Sequence, residues 1–141
     1  MAVLGNTRRA YIAPGSSGTP TTWLSGEQTN NFNRTAEAIE VSDKSTVWAQ
    51  FITGKRGATA EITVYTDDTA NGPQYNAIKA LHEGAKVRVF IGVLNGSTAS
   101  QGDVFTAIVT AVSDTNDNGS VATRSISLTA TGEVTHYPSL S

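Results

Sequence analysis

The 141-residue sequence contains no cysteine, which removes disulfides and thiolate metal sites from consideration. Histidine is nearly absent as well. His82 and His136 lie far apart, a poor start for a metal centre or a nucleophile–base pair. Charge is sparse, with ten Lys and Arg against twelve Asp and Glu and a formal net charge of −2. A protein that grips nucleic acid through its phosphates carries a clear basic excess, so that class fits badly. No run approaches the roughly 18 apolar residues of a membrane-spanning helix. The first fifteen residues lack a signal peptide's apolar core. The expectation is a soluble chain made in a cytoplasm, with no membrane anchor.

Thr, Ser, Ala and Gly dominate the composition. Thr and Val favour pleated, half-buried surfaces, so the chain reads as mainly β with a core of small side chains. Such a core is thin for a monomer, and burying surface between copies offsets that. One domain is expected over residues 1–141. Alternating patterns predict strands over 7–13, 32–41, 46–53, 58–66, 86–94, 104–113 and 121–134. Trp23 and Leu24 are expected to plug onto the core, between polar connections at 14–22 and 25–31. Within 58–66, Ala60, Ile62 and Val64 share the packed face. Within 86–94, Val87, Val89 and Ile91 point inward and Lys86, Arg88 and Phe90 outward. The period changes once. Pro73 stands where a first helical turn tolerates it, Tyr75, Ile78 and Leu81 recur at a spacing of three, and Gly84 supplies a left-handed stop. One short amphipathic helix over about 73–83 follows. Strands, one helix and more strands are packed most economically as an antiparallel β-sandwich or flattened barrel with the helix on its flank.

Little in the chain points to catalysis. Residues 114–119, Asp-Thr-Asn-Asp-Asn-Gly, match the start of a calcium loop, but its twelfth position is Ser125 where a bidentate Glu is needed. Asn and Asp before Gly equally suit a hairpin turn. Gly54-Lys55-Arg56-Gly57 lacks the upstream Gly and the following Ser or Thr of a phosphate loop, and reads as a turn with solvated charges. No G-x-S-x-G elbow and no carboxylate pair at a working spacing is present. No catalytic residue, metal ligand or cofactor is expected.

Residues 40–64 are the most informative stretch. Asp43 and Lys44 mark one break between Ser42 and Ser45, and Lys55 and Arg56 mark a second. Trp48 and Phe51 lie between them. Three apart on a strand, these two face opposite sides, so one enters the core and the other either needs a second partner or is covered elsewhere within the fold. Two charged turns around an aromatic strand suit a surface that meets another copy. From Thr123 to Glu133, a face of Thr123, Ser125, Ser127, Thr129, Thr131 and Glu133 opposes Ile126, Leu128 and Ala130.

The order EVSDKS, aromatic strand, GKR and alternating strand resembles the major tail protein (tail tube) family of long-tailed bacteriophages. The likeness continues through the helix, Lys86-Val87-Arg88-Val89, Phe105 to Thr110, and the closing run Ser125 to Thr135. It implies a β-sandwich or barrel with one flanking helix, hexameric rings stacked around a tape-measure protein, and a hollow tube that conducts DNA into the host. It implies partners at the tube ends, namely tail terminator and baseplate or distal tail proteins, and a place in the virion tail after assembly in the host cytoplasm. DNA would pass the lumen without sequence-specific binding. A loop or hairpin between early strands reaches the neighbouring ring in that family. The matching residues here are Ser42, Asp43, Lys44 and Ser45 with the strand to Phe51, and then Lys55 and Arg56. The Thr123-to-Glu133 face becomes a candidate lumen or ring-to-ring seam. The alternatives are a carbohydrate- or protein-binding β-sandwich module using Trp48 or Trp23, and a tube subunit of a related contractile injection system.

Overall fold

The computed structural model describes residues 8–15, 24, 26–45, 47–93 and 101–136. Seven strands and one helix follow in the order β1 (Arg9–Pro14), β2 (Glu27–Glu40), β3 (Phe51–Tyr65), α1 (Pro73–Glu83), β4 (Lys86–Val93), β5 (Gln101–Thr115), β6 (Thr123–Ala130) and β7 (Thr135–His136). Every pairing is antiparallel, and the spatial order is β1-β4-β5-β6-β3-β2, with β7 added to β5.

The sheet curls until its two end strands meet. The Glu27 carboxylate on β2 accepts the backbone N–H of Ala10 on β1 at 2.9 Å. Phe32 of β2 stacks flat on Phe105 of β5, with ring centroids 5.0 Å apart. Beside them the Arg34 guanidinium lies 4.6 Å from the Phe32 ring centre and pairs with Asp103, which is 1% exposed. An isolated buried carboxylate is expensive, so Arg34 both satisfies Asp103 and ties β2 across the barrel. The expected flattened barrel is thus one continuous sheet closed by side chains.

The predicted packed faces of β3, β4 and β6 match. Ala60, Ile62, Val64, Val87, Val89, Ile91, Ile126 and Leu128 enter one core with Phe105, Ala10 and Ile12. Leu24 reaches it too, while Trp23 lies outside the described residues. Phe90, expected outward, is instead buried with Tyr11 and Val104 on the opposite face of β4. Tyr11 is its direct cross-strand partner, 5.7 Å away between ring centres. Sequence period gives the side on which a residue points but not what covers that side.

The helix occupies the predicted residues, with Gly84 in the left-handed conformation. Its buried stripe is rotated to Gln74, Ala77 and Ala80, leaving Tyr75 exposed. Gln74 explains the rotation. Its amide donates to the Tyr65 carbonyl at 2.9 Å and accepts from the Asp67 N–H at 3.0 Å and Arg124 Nη1 at 2.9 Å. Arg124 also reaches Asp114 and Asp68. Burial disfavours its charge, but hydrogen bonds to those two carboxylates outweigh burial and raise its pKa above the usual arginine value.

Gly92 and Gly102 face one another where β4 meets β5, Gly92 at φ 153°. A Cβ on Gly102 would lie 2.8 Å from the Gly92 Cα and closer still to the Ile91 carbonyl oxygen. Backbone cannot yield as a flexible side chain does. Gly102→Ala should lower unfolding stability by about 3 kcal/mol, measured by urea denaturation; a loss within about 0.5 kcal/mol would contradict this close approach.

Candidate functional site

β3 has 15 residues but pairs with β6 only from Thr59 to Tyr65. Its other partner, β2, follows it through six further pairs, from Arg34 opposite Ala58 to Glu40 opposite Phe51. From Thr35 onward both strands leave the barrel as a two-stranded arm, about 20 Å long at 3.3 Å per residue. A ribbon of two strands is marginal in water by itself.

The arm corrects three sequence expectations. The turn expected at 54–57 is strand. In the strand expected at 46–53, residues 47–50 are the tip connection before β3 begins at Phe51, and in the connection expected at 25–31, residues 27–31 already belong to β2. Gly54 and Lys55 together oppose Glu37, where the register shifts between Ala36 and Ala38. They form a β-bulge, which adds twist and bends the ribbon. A Cβ on Gly54 would meet Ile39 Cδ1 at 2.8 Å, so glycine lets the Ile39 side chain cross the ribbon.

Trp48 lies in the tip and not on a strand, and neither it nor Phe51 enters the core. Val47 is 94% exposed, Trp48 84%, Phe51 58% and Ile52 54%. Ile39 and Ile52 are cross-strand partners on one face, which Val41 continues, while Phe51 lies on the other beside Glu40. An apolar patch of this kind on a projecting element marks a contact surface. Burying such side chains stabilises a contact by roughly 1.5–3 kcal/mol each. The tip is held by local bonds. Asp43 Oδ1 accepts from the Ser45 N–H at 2.9 Å and its hydroxyl at 2.6 Å. Ser42 Oγ accepts from the Gln50 N–H at 2.6 Å, and Val41 N–H reaches the Gln50 carbonyl at 2.8 Å. Lys44 stands exposed beside them. Thus Ser42, Asp43, Lys44, Ser45 and Trp48 gather at the tip with Phe51 at its base, while Lys55 and Arg56 sit lower on the arm.

At the arm's root lies a groove of about 810 Å³, bordered by Arg34, Ala36, Arg56, Gly57, Gly132 and Val134. No local sequence pattern signals it, because its walls come from four distant segments. An isolated glycine inside an alternating pattern was the available hint of a bulge at Gly54.

The second candidate surface is the outer face of β6. Thr123, Ser125, Ser127 and Thr129 alternate with buried Arg124, Ile126 and Leu128. They continue sideways into Tyr65, Thr63, Glu61 and Thr59 on β3, then Thr29, Asn31 and Asn33 on β2. Of these positions only Glu61 carries a formal charge, and Ser125 Oγ donates to it at 3.3 Å. Thr131 and Glu133 leave the face. Thr131 N–H turns to the Thr106 carbonyl at 2.7 Å, Gly132 adopts φ 96°, and Glu133 joins the root groove.

The calcium-like loop joins β5 to β6 as a turn. Its first carboxylate, Asp114, accepts from Arg124 Nε at 2.6 Å, and a guanidinium in that position opposes a cation. His82 is exposed at the helix end. Among the described residues no three His, Cys, Asp or Glu side chains gather as metal ligands.

Because Trp48 projects into solvent, Trp48→Ala should change monomer stability by no more than about 0.5 kcal/mol. Circular dichroism melting checks this, and a large loss would mean that the indole packs within its own subunit.

No family model and no curated protein matches the sequence. Solved structures do. The tail of an empty gene transfer agent particle with C6 symmetry contains a chain of TM-score 0.77 and 13% identity, covering 97% of this chain and 100% of that one. The SPP1 tail tube gives a TM-score of 0.72 at 16% identity over 97% and 80% of the two chains. The tube-terminating cap of the anti-feeding prophage gives 0.64 at 18% over 96% and 91%. At these identities the likeness concerns the fold, and the fold of this chain is the one found in tail tubes.

Proposed function

We propose that this protein is a structural subunit of a phage-type tail tube, a single tube domain without enzymatic activity that assembles with copies of itself into stacked rings. The observation that carries the reading is the arm, a two-stranded ribbon that exposes Val47, Trp48, Phe51 and Ile52 beyond the reach of its own barrel. Similarity to the SPP1 tail tube and to a C6-symmetric tail supports a ring of six. The arm then bridges successive rings, with contacts at Ser42, Asp43, Lys44, Ser45, Trp48 and Phe51 and at Lys55 and Arg56 lower down. Partners at the tube ends are a terminator and baseplate or distal tail proteins, and a tape-measure protein fills the lumen during assembly. The finished tube belongs to the virion tail.

Thr123, Ser125, Ser127 and Thr129 are assigned to the lumen wall. An almost uncharged hydroxyl surface solvates passing DNA without holding it, whereas Lys or Arg would bind phosphate through counterion release. Likeness to the anti-feeding prophage cap favours a second reading, a tube subunit of a contractile injection system. The arm has the same role in either.

Negative-stain microscopy of purified protein should show tubes. Replacing residues 39–52 by Asn-Gly should leave a folded, monomeric barrel with no tubes; persistence of tubes would refute the arm's role. Ser127→Arg with Thr129→Arg should give tubes that retain DNA at low salt and release it at high salt. Unchanged DNA passage would remove this face from the lumen.

A further inference from the structure

We propose that the arm tip of one copy seats in the root groove of the next, with the Trp48 indole as its anchor. The inference rests on the tube-subunit reading and names the surface that receives the arm.

Tip and groove are complementary in shape and chemistry. The tip offers two bulky side chains, Val47 and Trp48, with almost no cover from their own chain. The groove offers about 810 Å³ between small residues, Ala36, Gly57, Ala58 and Gly132, with Val134 as an apolar wall. That volume lies within the range of a pocket that encloses a large side chain and its neighbours. Arg56 and Glu133 stand at the groove, and the tip carries Glu40, Asp43 and Lys44 around the indole, so each surface offers both signs of charge. A guanidinium can pair with those carboxylates and lie on the face of a tryptophan. The hydrogen bonds of Asp43 and Ser42 hold the tip ready, so docking requires little further ordering.

A chain cannot fill its own groove. Ala36 and Val41 are separated by about 16 Å of extended strand, and ladder pairs on both sides of the bulge, from Ala36–Arg56 to Glu40–Phe51, keep the ribbon extended and stop the tip folding back onto its root. The occupant is therefore a second copy. Because tip and groove are different surfaces, each copy keeps one of each available after binding. Such a head-to-tail contact, made between copies in successive rings, extends along the axis instead of closing within one ring.

The cysteine-free sequence makes the contact testable by cross-linking. Ala36 is exposed and lines the groove on the same strand face as Arg34, so cysteine fits there. Tubes of the Ala49→Cys, Ala36→Cys double variant, oxidised and run on a non-reducing gel, should give a ladder of dimers, trimers and higher species. Either single variant should give no ladder. As a second measurement, Ala36→Trp fills the groove with the subunit's own side chain and should abolish tubes while the barrel melts as wild type. Trp48→Ala should raise the concentration needed for assembly roughly thirtyfold, the effect of a strong interface anchor. Tubes of the double variant without a ladder, or normal assembly of Ala36→Trp, overturn the docking site. If neither happens to an arm-dependent tube, the docking stands. If instead the variant lacking residues 39–52 forms tubes, the tube-subunit role of the arm fails, a separate outcome.

Discussion

A hairpin longer than the sheet that supports it governs this molecule. β3 belongs to two structures at once. From Thr59 onward it is an interior strand flanked by β6 and β2, and before that it is half of a ribbon with water on both faces. Interior strands obtain their stability from burial, as Ala60, Ile62 and Val64 do. The ribbon has only cross-strand pairs, each contributing roughly 0.2–1 kcal/mol. One continuous strand therefore runs from a well-packed region into one whose apolar side chains have no cover within the subunit.

Two polar fastenings make that arrangement workable. The Arg34–Asp103 pair and the Phe32–Phe105 stack fix β2 against β5 just where the arm departs, so its origin is rigid. At the other end of the barrel Arg124, Gln74 and Asp114 hold the helix to the sheet. Both fastenings use a charged residue at a barrel end, leaving the middle to small aliphatic side chains. The thin core suggested by composition is real, and among the described residues aromatic rings enter it at Phe32 and Phe105.

What the sequence revealed follows from the same division. Where one face is buried, a period of two is enforced, and the inward residues of β3, β4 and β6 could be read directly. The helix was legible from Pro73 and Gly84, though Gln74 turned its buried stripe. In the arm no buried face selects a period. Residues 46–53 alternate by composition alone, and Gly54 and Gly57 imitate a turn. Trp48 was identified as unusual, but its position in the tip depended on how far β2 and β3 stay paired, which no local pattern encodes. The root groove was invisible for a simpler reason, since Arg56, Asp103 and Val134 become neighbours only through the barrel's closure.

The bulge at Gly54 and Lys55 separates two properties that a plain hairpin would couple. Barrel packing sets where the ribbon begins, while one extra residue opposite Glu37 sets the direction in which it points. Moving that residue by one position along the strand would swing the tip sideways and leave the core untouched. A single backbone insertion thus acts as an angular dial, setting the direction of the arm independently of the barrel that carries it.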